Sequence, residues 1–425
     1  LASSILWDSI KDVPTVGVVG CDPGKKTRDI AWPMGVVAGV TPSTNPTSTV
    51  MFKILIAVKA RNGIVIAPHP SAVKCGLETT RIMAEAGERA GMPKGLIACM
   101  SRVSLPGTRE LMKHRDIDLI VATGGSQMVL AAHSVGKPAY GVGPGNVPVY
   151  VDRSADLARA ARYVVASKAF DHSTICATEQ AVVADAPIAG QLEKLMASEG
   201  AYFLDDEQAG RIAKLLFSPG PLINAGTVGK SPQQLARMCG IDVPSGARIL
   251  VAKLRSVGRA EPLSAEKLTT VLGWYEADGW KAGCERCIEL IEHGGRGHSL
   301  VVHAEDEEVV MRFGLEKSIF RIIVNSLGSL GATGMTTGVL PSLTLSPGGV
   351  GGAITGDNIN VHHMFNLKRV AYELNPPPPA AMQPGQAEPA QTAAGSGKPA
   401  AGEPARIDAG QVEEIVQRVL AALKK

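Results

Sequence analysis

Residues 34–72 read MGVVAGVTPSTNPTSTVMFKILIAVKARNGIVIAPHPSA, in which β-branched runs alternate with helix-like segments. The run at 34–40 predicts a strand, 49–61 a helix, 63–67 a second strand and 71–91 a second helix. The pattern goes on to predict strands at 117–122 and 147–151, with a helix at 127–135 between them. Strands that alternate with helices of this length indicate a parallel sheet covered on both faces, so we predict a doubly wound α/β fold.

The same alternation continues after residue 155 and predicts a second α/β unit. Helices are expected at 156–169, 188–198, 206–216 and 280–292, and strands at 180–184, 248–253, 299–303 and 319–325. Two further segments, 15–21 and 371–374, flank both units and suggest a small third element, such as an intersubunit strand pair.

The overall composition is that of a protein with more than one domain. A chain of 425 residues that is 45% hydrophobic is long enough for two or three cores. The formal net charge of +3 gives no electrostatic reason to expect nucleic acid or an acidic membrane as a partner. No apolar stretch reaches the roughly 20 residues of a bilayer span, and no signal peptide is recognisable. With seven scattered cysteines, we expect an intracellular protein with reduced thiols.

The composition changes abruptly near the end of the chain. Residues 376–404 are mostly Pro, Ala, Gly and Gln, which predicts a disordered linker because there is little to bury. Residues 405–425 then predict an amphipathic helix, and its apolar residues fall on one face: Val412, Ile415, Val416, Val419, Leu420 and Leu423. Docking of this helix on its own domain is one interpretation, but a helix on a long flexible linker favours docking on another protein.

Three loops contain residue types that carry chemistry. Residues 170–179, FDHSTICATE, place Cys176 between a predicted helix and a predicted strand, where an exposed loop can present a thiol. Residues 41–47, TPSTNPT, follow a strand, and the amide of Asn45 could donate a hydrogen bond to an oxyanion. The strand-to-helix turn ATGGS at 122–126 suits a phosphate or nicotinamide that approaches the backbone. A third loop, GVGPGNVP, lies at 141–148 just before a strand.

Together these segments resemble the aldehyde dehydrogenase superfamily, and within it the CoA-acylating branch. The resemblance rests on VTPSTNPTS, APHPSA, VATGGSQMV, YGVGPGNVPVYVD and RIIVNSLGSLGATG, which occur in one order over residues 12–374. It implies that Cys176 is the nucleophile, that Asn45 forms the oxyanion hole, and that Glu266 holds the nicotinamide ribose; a surface glutamate at a helix start is an equal alternative for Glu266. His298, in GGRGHSLVVHA, also resembles a family glycine–histidine turn. The positions implied for cofactor binding are Thr41, Pro42, Ser43, His69, Pro70, Thr123, Gly124, Gly125, Ser126, Gly143, Pro144, Gly145 and Glu266.

Two departures from the hydrolytic members of the superfamily bear on the reaction. Those members carry a Glu-Leu-Gly-Gly motif whose glutamate activates water, and the corresponding position here is Val142. Without that base, a thiol acceptor would resolve the thioester, which favours coenzyme A as co-substrate. Where hydrolytic relatives clamp the adenine ribose with Lys-Pro-x-Glu, this chain has His69, Pro70, Ser71 and Ala72. NAD is the expected cofactor, and use of NADP remains open.

The resemblance also implies a domain organisation and a cellular context. We predict an aldehyde-dehydrogenase-like fold with a Rossmann-type cofactor domain, an α/β catalytic domain and a small oligomerisation element. The predicted segments are an oligomerisation strand region at 1–27, a nicotinamide- and CoA-binding domain at 28–153, a catalytic domain at 154–345, a return and oligomerisation segment at 346–375, the linker at 376–404 and an encapsulation helix at 405–425. The chain opens at Leu1, and the N-terminal helices implied by the family are missing, so we expect a fragment or a processed form.

The expected function is oxidation of short aldehydes, such as propionaldehyde and acetaldehyde, to acyl-CoA. The expected setting is a homo-oligomer in the lumen of a bacterial microcompartment in the cytoplasm, where the C-terminal helix contacts a shell or cargo protein. One alternative is a hydrolytic dehydrogenase that takes its base from elsewhere, for example from Glu179. Another is an inactive microcompartment assembly protein. Cys284 and Cys287 form a Cys-x-x-Cys pair without two further ligands at suitable spacing, so we expect no metal.

Overall fold

The computed structural model describes residues 4–217, 220 and 222–378. The predicted linker at 376–404, apart from its first three residues, and the predicted helix at 405–425 lie outside this part of the chain. Leu1–Tyr372 forms one compact unit, and Glu373–Lys425 is assigned to a second. Among the described residues, no helix combines the length and the hydropathy that a membrane crossing requires.

The first large sheet is parallel and five-stranded. Its strands are β3 (Val36–Val40), β4 (Gly63–Ala67), β5 (Ile97–Cys99), β6 (Leu119–Thr123) and β7 (Ala139–Val142), in the spatial order β5-β4-β3-β6-β7. The connecting helices are α2 (Pro46–Lys59), α3 (Val73–Arg89), α4 (Leu105–Lys113) and α5 (Ser126–His133). The chain moves outward from β3 through β5 and then returns to the other side of β3 with β6. This reversal creates a crevice beyond the carboxyl ends of β3 and β6, where open α/β sheets bind ligands.

The second large sheet is parallel and seven-stranded. Its strands are β8 (Val147–Val151), β9 (Glu179–Asp185), β10 (Ala201–Phe203), β11 (Ile249–Lys253), β12 (Val271–Ala277), β13 (Leu300–His303) and β14 (Ile322–Val324), in the order β10-β11-β12-β9-β8-β13-β14. Its helices are α6 (Leu157–Ala169), α7 (Ala186–Ser198), α8 (Asp206–Phe217), α9 (Pro232–Cys239), α10 (Gly279–His293), α11 (Glu307–Glu316) and α12 (Gly328–Ala332). Every residue of the central strands β8 and β9 is buried, because helices cover both faces of the sheet.

A small antiparallel sheet lies apart from the two large ones. It consists of β1 (Gly17–Asp22), β2 (Thr27–Pro33) and β15 (Phe365–Ala371), with β2 in the middle, and the helix α1 (Ile5–Ile10) precedes it. One partner of β2 comes from the start of the chain and the other from its end, so this sheet joins distant parts of the sequence.

The structure confirms the α/β class and corrects several details. The predicted strands at 63–67 and 147–151 have the observed bounds. Strand 147–151 nevertheless lies in the seven-stranded sheet, so the change of sheet falls after Val142 and not at residue 153. Strand β2 was not predicted, and it places residues 28–33 in the small sheet and not in the cofactor domain.

Two predicted strand boundaries were wrong for physical reasons. The strand predicted at 371–374 begins where the observed strand ends. Strand β15 reaches only to Ala371 before the chain leaves its partner β2. The predicted strand at 319–325 shrinks to Ile322–Val324. Arg321 is turned inward to donate to Asn358 Oδ1 at 2.6 Å, and Asn325 takes a positive φ of 50° that a regular strand does not allow.

Candidate active site

A cavity of about 210 Å³ opens at the carboxyl edge of the five-stranded sheet. Eleven of the residues singled out from the sequence line it: Pro42, Ser43, Asn45, His69, Thr123, Gly124, Gly125, Gly143, Pro144, Cys176 and Glu266. Residues that the sequence did not single out complete the lining: Thr44, Thr49, Thr174, Ile175, Leu268, Thr333, Leu343 and Leu345. The cavity therefore brings the Cys176 loop, which precedes β9, against the two loops that follow β3 and β6.

Four of the expected residues do not line this cavity. Thr41 is buried beneath it, and its backbone N–H donates to Ala67 O at 3.1 Å. Pro70 begins the short 3₁₀ helix Pro70–Ala72, and Ser126, the first residue of α5, lines a neighbouring groove. Gly145 lies behind the wall of the cavity. These positions support the loops, or face adjacent space, and do not contact the cavity directly.

The Cys176 loop has an uncommon backbone. After α6, three consecutive non-glycine residues have a positive φ: Asp171 at 49°, His172 at 47° and Ser173 at 66°. Such conformations are rare for residues other than glycine and concentrate at functional sites. On the far side, a Cβ placed on Gly145 would lie 2.4 Å from Cys176 O, so only glycine allows the GPGN loop to approach the nucleophile loop this closely.

Cys176 is held as a neutral thiol. Burial, together with the nearby Glu266 carboxylate, raises the pKa of Cys176 to about 12. The Arg321 guanidinium and the backbone N–H groups of Cys176 and Ala177 act in the opposite direction. A thiolate therefore needs a change in these surroundings, such as neutralisation of Glu266 or the arrival of an electrophile that captures the charge as it forms.

Glu266 lies between Cys176 and the loop that precedes β8. Its Oε1 accepts a hydrogen bond from the Gly145 N–H at 2.9 Å. Burial raises the pKa of Glu266 to about 7, while the Gly145 N–H, Lys168 and Lys267 act to lower it. Its charge is consequently poised to change near neutral pH. The surface-glutamate interpretation is wrong, because Glu266 lines the cavity.

Asn45 occupies the N-cap position of α2, directly before Pro46, but its side chain does not cap the helix. Its Nδ2 instead donates to Asp171 Oδ2 at 3.0 Å and to Thr174 Oγ1 at 3.2 Å. Asn is a strong N-cap residue, so a side chain withdrawn from that role has another purpose. The positive end of the α2 dipole also lies at this position and favours negative charge in the cavity.

His298 and Lys53 lie close to the site. From the sequence, His298 was only a weak candidate and Lys53 was not a candidate. His298 is buried, its Nε2 has no hydrogen-bond partner among the described residues, and its ring lies within about 3.2 Å of a Cβ placed on Gly145. Burial lowers its pKa to about 3, so the imidazole is neutral at physiological pH. The available signals were a histidine in a glycine turn and a lysine inside the apolar run VMFKILIAV.

Lys53, on α2, is buried against strands β3 and β6. Its Nζ donates to Val40 O at the end of β3 and, at 2.8 Å, to Val121 O in β6. Burial holds the pKa of Lys53 well below its ordinary value. One side chain on α2 thus links the neighbouring strands β3 and β6.

Two positions bear on whether water could resolve an acyl group. Val142, at the end of β7, is buried and apolar and does not line the cavity. Glu179 is also buried outside the lining, where Oε2 accepts from Ser167 Oγ at 2.5 Å and Oε1 from the Gly328 N–H at 2.7 Å. Glu266 is the only carboxylate among the described residues that line the cavity.

The crevice has room for a flat cofactor against the backbone. A Cβ placed on Gly125 or Gly143 would meet no atom within 4 Å, so both glycines face open space. A nicotinamide dinucleotide fits this arrangement, because a Gly turn leading into a helix N-terminus suits its pyrophosphate or ring. At the cavity wall His69 Nδ1 pairs with Ser71 Oγ at 2.8 Å, so an imidazole and a hydroxyl lie where an acidic ribose clamp would be.

The described part of the chain contains no cluster of side chains suited to binding a metal ion. No group of three or more His, Cys, Asp or Glu residues there is arranged to hold a metal ion. Cys284 and Cys287 are buried on α10, and burial raises the pKa of both thiols.

Comparison with known proteins identifies the family. The model of the aldehyde dehydrogenase family matches residues 9–226. The structure superimposes on an acetylating aldehyde dehydrogenase from Geobacillus thermoglucosidasius with a TM-score of 0.87 and 49% identity, covering 89% of this chain and 83% of that one. A propionaldehyde dehydrogenase from the fucose utilisation microcompartment of Clostridium phytofermentans gives a TM-score of 0.79 at 27% identity, over 87% and 83% of the two chains.

Among curated relatives, aldehyde-alcohol dehydrogenase 2 of Entamoeba histolytica is 39% identical over 375 residues. The match covers 86% of this chain and 43% of that protein, so the chain spans less than half the length of this relative. The chain belongs to the aldehyde dehydrogenase family.

Proposed function

We propose that this chain is a CoA-acylating aldehyde dehydrogenase that converts a short-chain aldehyde, NAD⁺ and coenzyme A into acyl-CoA, NADH and a proton. The observation that carries the proposal is the meeting of Cys176 and Asn45 in one cavity, at the sheet edge that also presents Gly124 and Gly125. Similarity to an acetylating enzyme over most of both chains supports the acylating class. Propionaldehyde and acetaldehyde are the proposed substrates.

The residues of the chain would act in a fixed order. The Cys176 thiol releases its proton to solvent as its sulfur adds to the aldehyde carbonyl, and the new oxyanion accepts hydrogen bonds from Asn45 Nδ2 and a backbone N–H of the Cys176 loop. NAD bound against Gly124 and Gly125 would supply the acceptor for the hydride that leaves the hemithioacetal carbon. The product of this half-reaction is a thioester on Cys176.

The thiol of coenzyme A then attacks the thioester carbonyl, the Cys176–carbon bond breaks, and acyl-CoA leaves. His298 is buried beside Gly145, and its pKa of about 3 makes it too weak a base for this step, so the thiol proton passes to the departing Cys176 sulfur. Val142 replaces the carboxylate of hydrolytic relatives and Glu179 is bound away from the cavity, so neither position supplies a base for water, and the competing base to test is Glu266. Exchange between two thioesters is nearly isoenergetic, so the reaction should also run in reverse.

Stopped-flow measurement of NADH separates acylation from hydrolysis. With propionaldehyde and NAD⁺ alone, we expect one burst of NADH near one per active site, and steady turnover only after coenzyme A is added. Cys176→Ala should show no burst. Steady NADH formation without coenzyme A would mean that water resolves the thioester, and the acylating assignment would fail. No burst at all would favour the inactive assembly protein.

The cofactor preference is a separate part of the proposal. NAD is proposed over NADP by the family resemblance, although His69 and Ser71 supply no acidic clamp for the adenine ribose. Burst amplitudes at matched concentrations of the two cofactors decide between them.

Packaging and assembly are further parts of the proposal. A structural relative from a microcompartment supports a location in a microcompartment lumen, with residues 405–425 as the segment that contacts a shell or cargo protein. Deleting residues 407–425 should make a fluorescent fusion diffuse in the cytoplasm while turnover in solution stays unchanged. Loss of turnover would instead make the tail a structural part of the enzyme. We also propose a homo-oligomer formed through the small antiparallel sheet.

A further inference from the structure

Asn45, Asp171 and Thr174 form a closed hydrogen-bonded triangle at the mouth of the cavity. Asn45 Nδ2 lies 3.0 Å from Asp171 Oδ2 and 3.2 Å from Thr174 Oγ1, and the Thr174 hydroxyl donates to the same Asp171 oxygen at 2.7 Å. Thr174 and Asn45 line the cavity with Cys176, so the triangle belongs to the wall of the reaction site.

The geometry of this triangle decides how the Asn45 amide is used. The three distances close with an angle of about 50° at Nδ2, whereas the two N–H bonds of an amide diverge by about 120°. Two acceptors so close in direction share one N–H, each about 25° from its axis, which gives bent but still effective hydrogen bonds with N–H···O angles of about 145°. The second N–H of Asn45 is left over for another acceptor.

Asp171 also fixes which end of the amide points inward. A carboxylate accepts hydrogen bonds and donates none, so it pairs only with the NH₂ end of an asparagine. A flipped amide would place its carbonyl oxygen against the carboxylate and against a developing oxyanion, and both contacts are repulsive. The left-handed backbone at Asp171, with φ of 49°, is what turns this carboxylate towards α2.

We propose that Asp171 is a positioning residue that, with Thr174, holds one N–H of Asn45 and thereby aims the other at the oxygen of the hemithioacetal on Cys176. This inference rests on the proposed aldehyde chemistry. Asp171 touches neither substrate nor cofactor, and it acts only through Asn45. The strained loop of residues 171–173 is then part of the oxyanion site, although 126 residues separate Asp171 from Asn45 in the sequence.

The test is a double-mutant cycle on the hydride half-reaction of the full chain. Asp171→Asn suits it because asparagine tolerates a positive φ, and an amide can pair with either end of Asn45. Loss of an oxyanion donor slows such reactions by roughly 10²–10³, so Asn45→Ala should lower the burst rate by that factor. Asp171→Asn should lower the burst rate by at least about tenfold. The loss should appear in kcat, and the KM for NAD⁺ should stay unchanged.

In the Asn45→Ala background, Asp171→Asn should change the burst rate by less than about twofold, because the two residues act as one unit. Asp116→Asn is the matched control, since it makes the same substitution at an exposed position outside the cavity lining, and it should retain the wild-type rate. Full activity of Asp171→Asn, an equal loss in both backgrounds, or a loss expressed in KM for NAD⁺ would each overturn the inference. The burst of NADH comes before coenzyme A cleaves the thioester. The role of Asp171 can therefore be tested even if water, and not coenzyme A, cleaves the thioester. A wild type without any burst would refute the proposed function and this inference together.

Discussion

The charge on Glu266 controls the nucleophile at the scale of single residues. Cys176 lies in a site whose burial alone disfavours a thiolate, and the adjacent carboxylate adds to that effect. The pKa of Glu266, raised to about 7, means that the carboxylate is neutral in part of the population at physiological pH. Protonation of Glu266 and ionisation of Cys176 therefore favour each other, as expected for two acidic groups in one desolvated pocket.

Glu266→Gln should lower the pKa of Cys176, because it removes the negative charge that raises it. Alkylation of the Cys176 peptide by iodoacetamide at pH 8, followed by mass spectrometry, should become several-fold faster than in the wild type. Glu110→Gln, an exposed change on α4, is the control and should leave the rate unaltered. Slower alkylation in Glu266→Gln would contradict this, and would identify Glu266 as the base that removes the thiol proton.

At the scale of helices and strands, the features that could be predicted are those that local sequence patterns determine. Strand bounds such as 63–67 follow from a β-branched run between turn residues, and the loops with Asn45 and Cys176 stand at predicted ends of strands and helices. The central strand β2 of the small sheet, TRDIAWP, was missed because its charged residues and proline break the apolar alternation that marks a strand. Its pairing with β15 depends on a segment more than 300 residues away.

The details of the site that escaped prediction are long-range contacts. Asn45 meets Asp171, and Glu266 meets the Gly145 N–H across 121 residues, and no spacing in the sequence encodes either contact. The inward turn of Arg321, which binds Asn358 and the carbonyl of His298, likewise depends on tertiary structure alone. Resemblance to a family located Cys176 and Asn45, but only the fold reveals their partners.

Lys53 joins the helix α2 to the strands β3 and β6, so its loss should lower the stability of this part of the fold. Lys53→Met keeps the apolar length of the side chain but removes the donor to Val40 O and Val121 O. Leaving a buried acceptor without a partner costs about 1–3 kcal/mol, so the free energy of unfolding should fall by at least about 2 kcal/mol. Urea unfolding measures it, with exposed Lys74→Met on α3 as the control. Unchanged or increased stability would show that the lysine does not clamp the strands.

At the scale of the whole molecule, buried neutral histidines should make stability depend on pH. Burial lowers the pKa of His303 to about 4, from an unfolded value of about 6.5. The unfolded chain takes up a proton below pH 6.5 that the folded chain does not, so stability is lost as the pH falls from 6.5 towards 4. The loss attributable to His303 between pH 7.5 and 5.5 is on the order of 1 kcal/mol.

His303→Leu should therefore reduce the difference in unfolding free energy between pH 7.5 and pH 5.5 by about 1 kcal/mol. Neither ring nitrogen of His303 has a hydrogen-bond partner among the described residues, so the apolar replacement should cost little at pH 7.5. His114→Leu, at an exposed position, should retain the wild-type pH dependence. An equal pH dependence in wild type and His303→Leu would show that His303 is protonated in the folded state.

The small antiparallel sheet makes the last prediction, which concerns assembly. Val18 pairs with Ile30 and Ile30 with Lys368, so these residues share one face of the sheet with Trp32 and Val370. On this face Val18 is 58% exposed and Trp32 54%, although the Lys368 ammonium lies over the Trp32 ring. An apolar face of this kind on a three-stranded sheet is typical of a protein interface.

If two copies of the chain associate through this face, Trp32→Glu places a charge inside the contact and should shift the mass measured by sedimentation towards the monomer. Trp7→Glu is the matched control, because Trp7 is 45% exposed but lies on α1, outside the sheet, and the mass should stay that of the wild type. Burst amplitude per chain should survive in both variants, since every residue assigned to the reaction belongs to one chain. An unchanged mass for Trp32→Glu would place the interface elsewhere. A monomer that also loses its burst would mean that the partner copy stabilises the cavity, which would link assembly to catalysis through β2 and the strand β3 that follows it.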